Sequence, residues 1–318
     1  MKFDNLIDDK IWYQKYRPQT IEDTILPAGM KSEMLKYVSE GFIPHMLFVG
    51  QTGVGKSTIA QALLKEIKAD YMILNSSMYG DIDTLRTTVM QYASTVSLLD
   101  DVTHKYVLFE EADGMSRKAY EAVRVMFEQF SNNCTFILTA NHKNKIPVEV
   151  RGRCIVYEMH IPKSEKTRIA GEMLKRSIAM LENEDIKYES AVVGALVLKH
   201  FANWRALVNA LQKAAKTGSV DTGALADNVS ADWDELFKFI KLKDFTNARK
   251  WVASYIDVDS SVFYRHLYDS FSPLLTDNSI PALILVLAEY QFKEPQVADI
   301  EINRAAAIAE IMAVSVFR

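Results

Sequence analysis

Residues 46–67 constrain the fold of this chain more than any other stretch. Four apolar residues, Met46 to Val49, lead into Gly50-Gln51-Thr52-Gly53-Val54-Gly55-Lys56-Ser57-Thr58, and then into Ile59-Ala-Gln-Ala-Leu-Leu, a run that reads as helix. Strand, glycine-rich turn and helix start are the context that a phosphate-binding P-loop requires. Glycines at 50, 53 and 55 let backbone N–H groups turn inward with no Cβ in the way, so they can cradle phosphate oxygens. A helix starting near Lys56 adds the positive end of its dipole. Lys56 supplies a mobile charge for the β- and γ-phosphates, and the Ser57 hydroxyl is placed to ligate Mg²⁺. Gln51, Thr52, Val54 and Thr58 complete the nucleotide-facing set. The bland alternative, a glycine-rich turn that binds nothing, is disfavoured by the flanking strand and helix.

Further apolar runs at 71–74, 106–109, 135–140 and 155–157 read as strands, separated by helical spacing at 82–92 and 116–130. The alternation implies a five-stranded parallel sheet covered on both faces, with ligands at the carboxyl ends of its strands. The third strand delivers Glu110-Glu111-Ala112-Asp113 there. Beside a P-loop, such carboxylates handle metal and water: Glu110 would hold the ion, usually through water, and Glu111 would accept a proton from the attacking water. Asn141 ends the fourth strand, where an amide can orient that water or sense the γ-phosphate; a loop-capping asparagine is the alternative.

After Pro162 no clear strand is expected. Residues 164–181, 189–200 and 204–216 read as three helices, and a polar stretch at 217–223 leads to a block of four or five more from about 231. Upstream, Trp12-Tyr13-Gln14-Lys15-Tyr16-Arg17-Pro18 is either an arm pinned by its aromatics or a lid whose aromatics and Arg17 close over a nucleotide base. Composition excludes several classes. No apolar run has the length of a membrane span, and the N-terminus lacks the apolar core of a secretion signal, so a cytoplasmic protein is expected. The 6 histidines show no metal-ligand spacing, and the 2 cysteines sit in apolar surroundings. With 37 basic and 41 acidic side chains the net charge is −4, so any nucleic-acid site must be local.

Together these motifs resemble the AAA+ ATPase subunits of sliding-clamp loaders, the replication-factor-C group, including the large subunits of T-even-type bacteriophage clamp loaders. The resemblance implies an α/β P-loop AAA+ domain at 1–162, a helical lid at 163–228 and an all-helical collar for oligomerisation at 229–318. It implies that Trp12, Tyr16 and Arg17 contact the nucleotide, that Asn141 and Arg205 are its two sensors, and that Arg153, followed by Cys154, is an arginine finger reaching into a neighbouring subunit. Asn75-Ser-Ser77 with Ile82, Asp83 and Arg86 is similar to the family's DNA-facing segment, and Val123-Arg124 to Glu128 looks like the helix joining that side to the ATP site. A DNA-stimulated ATPase using ATP and Mg²⁺ follows, acting in a pentameric ring, with or without a different small subunit, on a sliding clamp and primer–template DNA. Three departures stand out: Glu110 where Asp is usual, Gly152 where the finger motif has Ser, and Met78 and Gly80 where charged residues are common. Other readings are a P-loop phosphotransferase, another AAA+ machine such as a branch-migration helicase or initiator, and a catalytically silent clamp-loader subunit.

Overall fold

The computed structural model describes residues 10–76, 82–95, 104–216, 218–221, 233–256, 258 and 260–317. Met78, Gly80 and Ser77 of the DNA-facing segment lie outside these residues, as does the side chain of Asp83. The chain divides into two compact units, residues 1–225 and 226–318.

In the first unit a short helix α1 (Trp12–Lys15) and helix α2 (Ala28–Glu40) precede strand β1 (Met46–Val49) and helix α3 (Lys56–Glu66). Strand β2 (Asp70–Asn75), helix α4 (Ile82–Ser94), strand β3 (Lys105–Glu110), helix α5 (Arg117–Gln129), strand β4 (Cys134–Ala140), helix α6 (Val148–Arg151) and strand β5 (Ile155–Glu158) follow. The strands form one parallel sheet in the order β2-β3-β4-β1-β5. Side chains alternate between its faces. Leu47, Val49, Val107, Phe109, Phe136 and Leu138 pack with Val123, Met126 and Phe127 of α5 on one side. Met46, Phe48, Tyr106, Leu108 and Ile137 pack with Ile59, Leu63 and Met34 on the other. All residues of β1 and β4 are buried, the near-continuous apolar pattern of a sheet covered on both faces.

Register places the functional edge. Val49 pairs with Ala140, and Gly50 N donates to Ala140 O at 3.2 Å, so the P-loop and Asn141 leave the sheet side by side. Glu110 ends β3 opposite Asn75. β4 and β1 are neighbours whose onward connections run in opposite directions, β1 to β2 on one side and β4 to β5 on the other, and a ligand site in an open α/β sheet is expected at such a crevice.

The lid consists of helices α7 (Lys166–Asn183), α8 (Ser190–Lys199) and α9 (Trp204–Ala215), packed around Met173, Leu181, Val193, Leu207 and Leu211. The expectation of no strand beyond Pro162 is corrected: β6 (Lys187–Tyr188) pairs in parallel with β7 (Ser219–Val220). Strands of this length carry no readable alternation, which is why the pattern missed them.

The second unit contains α10 (Trp233–Lys241), α11 (Phe245–Ser254), α12 (Ser260–Phe271), α13 (Ile280–Lys293) and α14 (Ile300–Val314), packed around Trp251, Phe263, Leu267, Phe271 and Ile308. Within it Arg304 and Glu294 form an ion pair at 2.6 Å, with side chains only 3% and 4% exposed. The guanidinium also donates to Ile256 O at 3.1 Å and Val258 O at 2.7 Å and lies 4.6 Å over the Phe263 ring. Breaking such a pair leaves a buried charge uncompensated. Glu294→Ala should therefore destabilise this unit by about 3–5 kcal/mol, read as a lowered denaturation midpoint; a loss no larger than that of a surface pair would mean water reaches Arg304.

Candidate active site

The P-loop turn is built on two residues with positive φ, Gly53 (83°) and Gly55 (99°), the latter capping α3. Both conformations suit glycine and expose successive N–H groups to one concave surface. Lys56 opens the helix and is buried. Its Nζ donates to Gly50 O (2.8 Å), Gln51 O (2.9 Å) and Asn141 Oδ1 (2.9 Å). Burial pulls its pKa down to about 8; Asp113 and Glu111 push it up and Arg205 pushes it further down. Thr52 Oγ1 also reaches Asn141 Oδ1, at 3.4 Å.

One cleft gathers most of the expected set. Thr52, Gly53, Val54, Gly55, Lys56, Ser57, Thr58, Glu111, Asn141, Tyr16, Arg17 and Arg205 all line it. Arg17 Nε donates to Thr58 Oγ1 at 3.2 Å, and burial lowers its pKa, against the pull of Glu110 and alongside the push of Arg205. Lys56 and Arg17 are thus each influenced by the charge of Arg205. Arg205 stands in the first turn of α9, stacked 5.8 Å from the Tyr13 ring. A cation there opposes the helix dipole, so the cleft as a whole favours an anion.

Glu111 adopts a left-handed conformation (φ 53°, ψ 43°), and its N–H reaches Thr139 Oγ1 at 3.3 Å. Glu110 stays in β3, half-buried, and accepts from Gln61 Nε2 at 3.3 Å without lining the cleft. Gly50 and Gln51 contribute through their carbonyls to Lys56 and do not line it either.

Three expected residues lie elsewhere. Trp12 sits in the lid core, buried with Met173, Val193 and Leu211, and its backbone N–H donates to Gln212 Oε1 at 3.3 Å. That position corrects its assignment to the nucleotide: an indole filling a helical core cannot face a base, and Tyr13 and Gln14 line the cleft instead. Arg153 is exposed, paired with Glu128 of α5 and donating to Glu149 O at 2.7 Å. Arg86 is an exposed residue of α4.

Sequence reasoning missed Gln14, Thr139 and Arg176. Arg176 comes from the middle of α7, lines the cleft and donates to Asp23 O and Tyr16 O; no local signal marks such a residue. Gln14 Oε1 is buried without a hydrogen-bond partner among the described residues, and Ile25, Leu26, Met180 and Val208 form an apolar wall of the same cleft. An orphaned acceptor, an apolar wall and a polycationic turn fit a base joined to phosphates. Among the described residues no three His, Cys, Asp or Glu side chains form a metal cage, and no helix is long and apolar enough to cross a membrane. Cys134 and Cys154 are free thiols with pKa values pushed up to about 12 by burial, which leaves them unreactive.

Residues 46–161 match the ATPase family associated with various cellular activities (AAA), and residues 165–226 match the lid domain of the sliding-clamp-loader large subunit. The sliding-clamp-loader large subunit of Escherichia phage RB69 is 32% identical over 83% of this chain and 85% of its own length. The chain belongs to the clamp-loader family of AAA+ ATPases. The sliding-clamp-loader large subunit of Enterobacteria phage T4 is 31% identical over 88% of this chain and 89% of its own length. The replication factor C small subunit of Saccharolobus solfataricus is 28% identical over 96% of this chain and 95% of its length. Among solved structures, a Thermotoga maritima RuvB matches with a TM-score of 0.57 at 14% identity, covering 78% of this chain and 87% of its own, a likeness of fold alone. Membership in this family implies ATPase activity and the binding of a nucleotide with a metal ion.

Proposed function

We propose that this chain is the ATP-hydrolysing subunit of a clamp loader in DNA replication, which opens a sliding clamp and places it on primer–template DNA. Hydrolysis then releases the closed clamp. The observation that carries this reading is the convergence of Lys56, Arg17 and Arg205 on the Gly53–Gly55 turn, with Glu111 at the rim. The loop amides bind the phosphates, and Lys56 trades its loop carbonyls for phosphate oxygens. The Gln14 acceptor suits the amino group of adenine, which favours ATP. Asn141 orients the attacking water and Glu111 takes its proton. Ser57 and Glu110 would hold Mg²⁺, which supplies charge neutralisation at the phosphates; the longer arm of Glu110 compared with aspartate suits contact through water.

The exposed Arg153 belongs to a neighbour's site in this reading, so several copies act in a ring, pentameric as the family resemblance implies. The second unit supports assembly: α13 exposes Ile284, Leu285 (72%) and Phe292 (73%) along one stripe, an apolar surface of the kind that marks protein contacts. DNA contact is assigned to Arg86 near the start of α4. Since phosphates rather than bases are met, binding is insensitive to sequence and sensitive to salt.

The test is ATPase activity with and without primer–template, at a series of salt concentrations, for the wild type and Arg86→Ala. Turnover without DNA should survive the substitution, while stimulation falls. Because the substitution removes one phosphate-pairing cation from every copy in the ring, the salt slope should flatten by several units. Unchanged stimulation and slope would place the DNA path elsewhere.

A further inference from the structure

The lid helix that carries Arg205 is joined directly to the phosphate loop. Trp204 N, one of the N–H groups that a helix start leaves without an internal partner, donates to Gly53 O at 2.9 Å. The preceding residue, Asn203, caps the helix: its Oδ1 accepts from Ala206 N at 3.0 Å. The same side chain lies against the Cα of Gly53, so close that a Cβ built there would stand 2.0 Å from Asn203 Oδ1. Ala202, just before, takes a left-handed backbone (φ 66°) that a non-glycine residue adopts at a cost. Two halves of the nucleotide site, far apart in sequence, therefore share one junction: the Gly53 peptide ends the lid helix on one side and belongs to the anion cradle on the other.

We propose that Asn203 is a positioning residue that clamps the lid helix to Gly53 and thereby holds Arg205 over the phosphates, so that the site distinguishes a nucleoside triphosphate from a diphosphate. The inference rests on the reading of Arg205 as a phosphate-facing group. Without the Asn203 cap, the first turn of α9 frays and Trp204 N–H loses its fixed line to Gly53 O. Arg205, the next residue, then loses its pose, and the γ-phosphate loses a partner that the β-phosphate does not share. Serine, another good cap, keeps the turn.

Affinities of the full-length chain for ADP and for a non-hydrolysable ATP analogue, measured by calorimetric titration, test this. Asn203→Ala should lose roughly five- to tenfold of the preference for the triphosphate, the scale of one missing cap, with ADP affinity little changed. Asn203→Ser should keep the preference. If Arg205→Ala retains full preference, the reading of Arg205 fails and the proposal with it. If Arg205→Ala loses the preference and Asn203→Ala retains it, the proposal alone is overturned, and Asn203 is a helix cap with no part in selectivity. Should Asn203→Ala fold poorly, a double-mutant cycle decides. Gly53→Ala should weaken binding strongly but measurably, and adding Asn203→Gly should restore part of it by removing the atom its Cβ would strike. Strict additivity of the two losses would overturn the proposed clamp.

Discussion

Arg153→Ala is expected to slow ATP turnover by roughly 10³–10⁵-fold, the scale for an arginine that stabilises a transferring phosphoryl group, while ATP affinity stays near that of the wild type. The geometry separates the two effects. Arg153 does not line its own chain's cleft; its guanidinium pairs with Glu128 and Glu149 O at the chain surface. Loss of the side chain therefore leaves the P-loop, Arg17 and Arg205 in place to bind nucleotide. The substitution of Ser by Gly152 in front of it is tolerated by the fold, because Gly152 sits in ordinary right-handed helical conformation. Action in trans has its own signature. Mixed with Lys56→Ala subunits, which lack the phosphate-binding charge but keep Arg153, the mutant should recover part of its activity. A mixture as inactive as its components would make Arg153 a structural residue of α5 and α6 or a group acting within its own chain.

Glu111→Gln should bind ATP and hydrolyse it about 10²–10⁴-fold more slowly, the usual worth of a positioned general base. The amide has the size and shape of the carboxylate but cannot accept the water's proton. The backbone at Glu111 makes the comparison clean. Both residues pay alike for the left-handed conformation, which a side chain adopts at a cost and which clusters at functional positions. Both keep the N–H to Thr139. Glu110, one residue earlier, is still in strand geometry and bonded to Gln61, so it cannot swing into the vacated role. Single-turnover hydrolysis of pre-bound ATP reads the chemical step directly; normal rates there would remove Glu111 from the base position.

Much of this arrangement was legible because its determinants are local. The strand, turn and helix of the P-loop occupy adjacent residues, and the apolar runs of β1, β3 and β4 are too long and too continuous to be surface. The carboxylates at 110 and 111 and the amide at 141 fell on the right edge because strand ends in a parallel sheet are set by where apolar runs stop. What failed was what depends on tertiary placement. Trp12 and Tyr13 are neighbours in an aromatic run, and nothing in the run says which ring enters the lid core and which faces the cleft. Arg176 is one basic residue on a helix with several. Asn203 stands just before the helix expected over 204–216, and its contact with Gly53 crosses 150 residues of chain. The pairing of β6 with β7 is likewise between segments too short to carry a period.

The burial of Trp12 also bears on how the protein is made. Its core partners run from Ile169 to Val220, so the indole near the beginning of the chain has nowhere to go until the lid has been synthesised. At about 5–20 residues per second the ribosome needs roughly 10–40 s to supply that stretch. Until then the Trp12 indole lacks the core that buries it in the completed first unit. The P-loop, by contrast, can form on its sheet much earlier, yet Arg205 and the arm that carries Arg17 reach it only together, when the lid closes on Trp12. The full lining of the cleft is thereby assembled only in the completed first unit, and a nucleotide that binds this folded form alone would, at a hundredfold excess over its Kd, add about 2.7 kcal/mol to its stability.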